Sequence, residues 1–574
     1  METSDTSHAG AGTMAPSRRP GLSRGRVAGV LLATGAVALG PFFANAAGAA
    51  AAAPHNALVP MSATLTGFSP AAGAVGTAVT LTGTGFTGPC SLAFKGTSAP
   101  CAVKSSTRIA TAVPAGAGTG PIVVTTGGVK LTSKSSFTIT LGIQLGASSG
   151  PPTTQTTVSG SGFAPGEIVD LYVGTEYDVG EVTANAAGDF TKVKITVPAA
   201  SQPGATKVSA VGRTSAREAQ AAFDIVTNWS EIGFNASGDR FNPYENTVGT
   251  SNVANLSQRW ALQTGWPVYS SAAVVNGTVY FGSPDTYVYA VSAATGKQSW
   301  TYSAGASVDD SPAAAGGEVF AATISGDVFA LNAKTGAKLW NDSLGSRFYA
   351  SPTVSGGVVY IGANNGNFYA LQASTGKELW LNATGSLIAT TPAVANGLVY
   401  LGTTGDYVLA LSAATGTLVW SYQTGGAIYG SPAVVGGVVY IGSTDQNLYA
   451  LNAATGARIF QDEITGEIST SPAVANGVIY IGTDAGELYA LDASNGFLDW
   501  IAYANGAIFS SAAVANGVVY FGSNDGKIYA YDAVEGTELW WDTTGNAVSS
   551  SPTIANGVVY VGSNDGNMYA FDEQ

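Results

Sequence analysis

From about Thr227 onward, apolar and polar positions alternate in short runs that return every 40 residues. One period shows the plan. Ser431-Pro432-Ala433-Val434 is a first run, and Gly436-Gly437 interrupts it. Val438–Ile441 is a second, followed by the polar stretch Ser443–Asn447. Leu448–Leu451 is a third, and Thr455-Gly456 precedes a fourth run that contains Phe460. Runs this short, broken by Gly, Asn and Asp, predict strands and tight turns. The first break is Asn-Gly at 276, 396, 476, 516 and 556, and Gly-Gly at 316, 356 and 436. Both pairs suit the positive φ angles of a type I′ hairpin. Each period therefore predicts a four-stranded antiparallel meander, and a fixed period near 40 predicts a repeat fold. A bulky aromatic closes each period, at Trp260, Trp300, Trp340, Trp380, Trp420, Phe460, Trp500 and Trp540.

First strands begin near 271, 311, 351, 391, 431, 471, 511 and 551. The eighth unit ends before its fourth strand, whereas Leu256–Leu262 is a fourth strand with no preceding three. The pattern predicts an eight-bladed β-propeller closed by that N-terminal strand, which removes free sheet edges. Proline occupies 312, 352, 392, 432, 472 and 552. It lacks a ladder donor, so it belongs on the edge strand that faces the central channel.

The upstream chain is also strand-like, which makes the whole protein all-β. Residues 61–140 and 141–226 each read as a small Ig-like β-sandwich of short strands, such as Ala78–Thr82 and Pro121–Thr125. Before them, Arg18, Arg19, Arg24 and Arg26 precede an uncharged stretch at 27–43, then Ala44-Asn45-Ala46. That layout predicts a signal peptide over 1–46 and a flexible leader over 47–60. Gly35, Gly40 and Pro41 break the apolar run, which argues against an uncleaved membrane anchor. Secretion or display at the cell surface is expected, with no transmembrane span after cleavage. Domain limits are thus 61–140, 141–226 and 227–574.

Composition narrows the function. The net charge is -14, and residues 227–574 hold nine Lys/Arg against 27 Asp/Glu. So acidic a propeller argues against a nucleic-acid partner, which requires a basic footprint. Cys90 and Cys101 are the two cysteines, and in an exported chain they predict one disulfide. His8 and His55 both lie in the leader region, so Cys/His metal chemistry is not expected in the mature protein. No metal site is predicted.

Two resemblances add to this reading. Gly67-Phe68-Ser69-Pro70, Gly73, Gly76 and Gly83-x-Gly85-Phe86 make residues 61–140 similar to an IPT/TIG immunoglobulin-like domain. Ala370–Trp380, ALQASTGKELW, resembles the tryptophan-docking repeat of pyrroloquinoline quinone (PQQ) propellers. The lead-in of Trp229, Gly233, Asn235 and Arg240-Phe241-Asn242-Pro243 is similar to the start of quinoprotein alcohol dehydrogenases. The first resemblance implies a sandwich. The second implies a propeller whose tryptophans dock blade to blade, and as one reading a PQQ- and calcium-dependent dehydrogenase.

Candidate binding residues sit where the chain enters each first strand. One column there holds Tyr269, Asp309, Tyr349, Ala389, Tyr429, Ser469, Phe509 and Ser549, with aromatics on every second blade. Beside it stand Trp266, Asp310, Arg347 and Glu467. The column between is apolar throughout: Val268, Val308, Phe348, Ile388, Ile428, Ile468, Ile508 and Val548. The variable columns predict a binding mouth, with interblade packing of the rings as the competing reading. Turn residues such as Asp285, Asp445 and Asp565 lie one to a turn, which suits turn chemistry and not a calcium site. No residue is assigned a catalytic role. The expected function is a secreted, non-catalytic binding or scaffold module, monomeric and without cofactor, that takes a protein or carbohydrate ligand. The dehydrogenase and a carbohydrate-binding or adhesive surface protein stand as the alternatives.

Overall fold

The computed structural model describes residues 63–573. The segments read as signal peptide and leader lie outside the described residues. The first β domain packs a four-stranded sheet, built on Thr64–Ser69, Ala78–Thr84 and Arg108–Ala112, against a five-stranded one that contains Cys90–Phe94, Gly120–Thr126 and Val129–Ile139. Burial alternates along Ala78–Thr84, and Leu81, Phe94, Ile109, Ile122 and Phe137 form a fully buried core. Cys90 and Cys101 are joined as a disulfide.

The second β domain repeats the plan with sheets of three and five strands. Its unusual feature is a buried carboxylate. Glu167 accepts hydrogen bonds from the Ala164 and Ser215 backbone N–H groups and from the Thr214 and Ser215 hydroxyls. Desolvation opposes ionisation, but these donors outweigh it and hold the carboxyl down to about 2 from an ordinary 4.5.

Beyond residue 240 the strands form eight sheets, each built on four antiparallel strands, and one of them gains Phe241–Asn242 as a short parallel fifth strand beside Ala513–Ala515. Ala433–Val435, Val438–Gly442, Asn447–Asn452 and Arg458–Glu463 make one of them. Both central residues of its first turn have positive φ, 59° at Gly436 and 82° at Gly437, as a type I′ hairpin requires. The closing sheet pairs Leu256–Gln263 antiparallel with Asn567–Glu573, so the N-terminal strand supplies the missing fourth member.

Neighbouring sheets are docked at two radii. At the outside, each tryptophan indole donates to a carbonyl of the next sheet, as from Trp300 Nε1 to the Ala333 oxygen at 3.0 Å. The Tyr280 hydroxyl donates to the same oxygen at 3.1 Å. The aromatic ring also lies flat on the turn of the next sheet: a Cβ added to Gly376 would come within 2.5 Å of Trp340. Phe460 has no donor, yet Ala493 still receives the Tyr440 hydroxyl at 2.8 Å. At Phe320 it is the tyrosine that is missing, and Ala373 still receives Trp340.

At the inside, the residue before the proline position is Ser or Thr in all eight units, including the two where Ala272 and Ala512 replace the proline. Ser271 N–H donates to Ser311 Oγ, Ser311 to Ser351, and so on through Thr391, Ser431, Ser471, Ser511 and Ser551. Ser551 N–H then donates to Ser271 Oγ at 2.9 Å and closes a ring of eight hydrogen bonds.

The innermost strands face the central channel, and residues 229–242 cross one end of it and meet each strand in turn. The N–H groups of Val274, Ala314, Val394, Val434, Val474 and Val514 donate to backbone carbonyls of Trp229, Ser230, Ala236, Ser237, Asp239 and Arg240. Val354 N–H donates to the Glu231 carboxylate, and Asn242 Nδ2 donates to the Ile554 oxygen. An edge strand leaves unpaired polar groups, and this segment satisfies them. The second β domain attaches at the same end: Asn246 Nδ2 donates to the Ser201 oxygen at 2.9 Å and Thr247 Oγ1 to Gln202.

Two outcomes follow. Glu167→Gln should lower the unfolding temperature of the full chain above pH 4.5, where the wild-type carboxylate is fully stabilising. The difference should shrink as pH falls towards about 2 and the native carboxylate takes its proton, since a depressed folded pKa stabilises only above the acid range. Tyr440→Phe leaves the Ala493 oxygen with no side-chain donor and should cost about 1–3 kcal/mol in denaturant unfolding. Tyr400→Phe should cost less, about 0.5–1.5 kcal/mol, because Trp420 still donates to Ala453.

Candidate functional site: the channel mouth

The loops that enter the first strands lie at the end of the channel opposite the crossing segment, because each first strand separates its entry loop from its first turn. These loops are braced. In Thr424–Ser431, Thr424 Oγ1 donates to the Asp406 and Gly426 oxygens, and Gly425 N–H donates to Asp445 Oδ2. The Tyr449 hydroxyl holds the same Asp445 oxygen. Asp285, Asp525 and Asp565 repeat this arrangement with Tyr289, Tyr529 and Tyr569. The turn aspartates are therefore spent on ordering loops, as turn chemistry predicts.

A braced loop fixes the direction of each side chain. Ile428 and its seven equivalents are wholly buried between sheets. The next residue points the other way. Tyr269, Tyr349, Tyr429 and Phe509 are 45%, 46%, 47% and 45% exposed, on every second sheet. Trp266 is 64% exposed, and Arg347 and Glu467 are exposed as well. Asp309 is half-buried and accepts the Ser307 hydroxyl. Tyr269, Asp309, Arg347 and Tyr349 belong to three consecutive sheets. Tyr429, Glu467 and Phe509 lie further round the rim.

Asp310 departs from the expected surface position, being only 4% exposed. In five of the other seven units its column holds Ser270, Thr390, Thr470, Ser510 and Ser550, whose hydroxyls bond the backbone of Gly282, Gly402, Gly482, Gly522 and Gly562, while Ala350 and Gly430 fill the remaining two. Asp310 takes that inward place, and its Oδ2 has no partner. Burial, with Asp309 beside it, pushes the carboxyl well above the usual range.

A quinone–calcium pair needs several converging oxygens at one point. Among the described residues no group of three or more His, Cys, Asp or Glu is placed to hold a metal ion. Asp309 and Asp310 share one loop, and Glu467 lies on another. Sequence reasoning missed the hydroxyl ring and the buried charges Glu231 and Arg240. A signal for the ring existed, since Ser or Thr precedes the proline position in every unit. The crossing segment has no periodicity that could have revealed it.

An IPT/TIG domain profile matches residues 63–140, and a macroglobulin-like domain profile matches 139–225. A third profile, described as outer membrane protein assembly factor BamB, matches 245–347, 324–429, 424–510 and 504–574, together more than half of the chain. No curated protein matches. Among solved structures, a europium-containing methanol dehydrogenase is 17% identical, with TM-score 0.54 over 60% of this chain and 98% of that one. Quinohemoprotein alcohol dehydrogenase ADHIIG from Pseudomonas putida HK5 is also 17% identical, with TM-score 0.53 over 60% and 80%. BamB from Moraxella catarrhalis is 21% identical, with TM-score 0.49 over 55% and 99%. The two dehydrogenase likenesses show the fold alone. No helix among the described residues is long and apolar enough to cross a membrane.

The geometry separates surface from core at adjacent positions. Tyr429→Ala should change stability by no more than about 0.5 kcal/mol, as at other exposed sites. Ile428→Ala should cost about 2–5 kcal/mol through lost burial and a cavity. Denaturant unfolding of the two variants checks this, and equal losses would show that the tyrosine is packing.

Proposed function

Since the chain belongs to the family described as outer membrane protein assembly factor BamB, built of PQQ-like repeats, we propose that it is an extracytoplasmic, non-catalytic binding module. Its propeller takes a protein or carbohydrate ligand at the aromatic mouth, and the two Ig-like domains carry it. One observation supports this above the rest: four rings stand half-exposed on alternate sheets, directly above a column that is buried in all eight. Half-exposed aromatics on rigid loops give large contact area at small entropic cost, and such anchors dominate binding energy. The mouth faces away from the end where the second β domain attaches. The Cys90–Cys101 disulfide suits an oxidising compartment, which agrees with export.

The reading is tested in two arms. Wild-type protein and the Tyr349→Ala/Tyr429→Ala double variant are compared on a glycan array and by cross-linking to cell-envelope proteins. A ligand captured by the wild type and lost by the folded variant is expected, and undiminished capture would remove the mouth from consideration. In the second arm the protein is supplied with PQQ and calcium and assayed for dye-linked alcohol oxidation. No turnover is expected, and sustained turnover would replace the binding reading with the dehydrogenase.

A further inference from the structure

The segment that crosses the channel carries two buried charges that nothing pairs directly. Arg240 is 2% exposed. Its Nε donates to the Ala512 oxygen at 2.7 Å, Nη1 to Ile232 at 2.8 Å, and Nη2 more distantly to Ser511 at 3.5 Å. All three acceptors are backbone carbonyls, and among the described residues Arg240 forms no ion pair. Glu231 is 6% exposed. Its Oε2 accepts the Val354 N–H at 3.1 Å, while Oε1 meets no protein donor. A buried guanidinium without a counter-charge is costly, and so is a buried carboxylate with one lone hydrogen bond.

Both side chains line the same cavity of about 20 Å³. Its wall on the other side is the hydroxyl ring, through Thr391, Ser431 and Ser471. Those hydroxyl oxygens accept backbone N–H groups, and among the described residues their hydrogens meet no acceptor. A space of this volume holds one water, which needs two to four polar partners to be stable there.

We propose that a single ordered water occupies this cavity and links Arg240 to Glu231. It accepts from the guanidinium, donates to Glu231 Oε1, and takes a ring hydroxyl as third partner. The link is a strut. Glu231 grips Val354 in the third unit, and Arg240 grips Ser511 and Ala512 in the seventh, four units away in a ring of eight. The water joins opposite walls of the channel through the crossing segment. Burial pushes Glu231 up to about 7, against the lowering effect of the Val354 N–H, and pushes Arg240 down to about 9.

Two measurements decide it, and neither depends on the mouth or its ligand. A high-resolution crystal structure of the wild-type protein should show one peak within hydrogen-bond distance of Glu231 Oε1 and an Arg240 nitrogen. A dry cavity, or direct contact between the two side chains, overturns the proposal. Glu231→Gln, Arg240→Met and the double variant are then compared by thermal unfolding of the full chain. Each single change should lower the melting temperature, and the double variant should lose clearly less than the sum. Additive losses would show two independent charges and overturn the strut. If a variant fails to fold, the wild-type crystal structure still distinguishes a bridging water from a dry cavity.

Discussion

Every innermost strand faces the same difficulty: one edge has no neighbouring strand to accept its N–H groups. The four-residue opening of each unit answers it position by position. In Ser431-Pro432-Ala433-Val434, the serine N–H goes to the hydroxyl of the next unit, and the proline has no N–H to place. Ala433 pairs with Tyr440 inside its own sheet, and Val434 N–H goes to the crossing segment. Side-chain oxygen, imino acid, sheet partner and foreign backbone each satisfy one position. The inner edge of the strands can therefore stand without a neighbouring strand, because nearly every donor along it is given a partner.

The same economy governs the outer radius. A carbonyl oxygen has two lone pairs, and four of the eight docking carbonyls, those of Ala333, Ala413, Ala453 and Ala533, receive two side-chain donors. The departures from the repeat respect this. Phe460 and Phe320 each remove one donor, but from different carbonyls, so neither oxygen is stripped. The repeat tolerates loss of an indole or a phenol, provided both are not lost at the same interface.

The architecture was legible in the sequence because it is periodic. Turn residues, the aromatic column and the orphan strand at Leu256–Leu262 each state a geometric requirement that few folds satisfy. The mouth was partly legible, since an invariantly apolar column beside a variable one marks which face is buried. Asp310 was misread because it follows Asp309. Successive residues of an extended chain face opposite ways, so its proper company was the hydroxyl column of Ser270 and Thr390. The crossing segment was marked in the sequence only by its resemblance to the start of quinoprotein alcohol dehydrogenases, and its course across the channel was not legible. Its residues are chosen to meet eight different strands, which leaves no repeating signature, and Glu231 and Arg240 look in sequence like ordinary surface charges.

The pairing of Leu256–Gln263 with Asn567–Glu573 joins residues more than 300 positions apart, as the Arg259–Asp572 ion pair with its separation of 313 illustrates. A chain made N-terminus first holds one half of this seam while the intervening sheets are made, and only then receives the other half. Loop closure over such a span adds only modest entropy, but it makes the seam a late, non-local event in assembly. Until then the growing arc presents two raw sheet edges to its surroundings. The heavy excess of Asp and Glu in this region gives every unfinished copy the same sign of charge, which keeps open arcs from zipping together before each can close on itself.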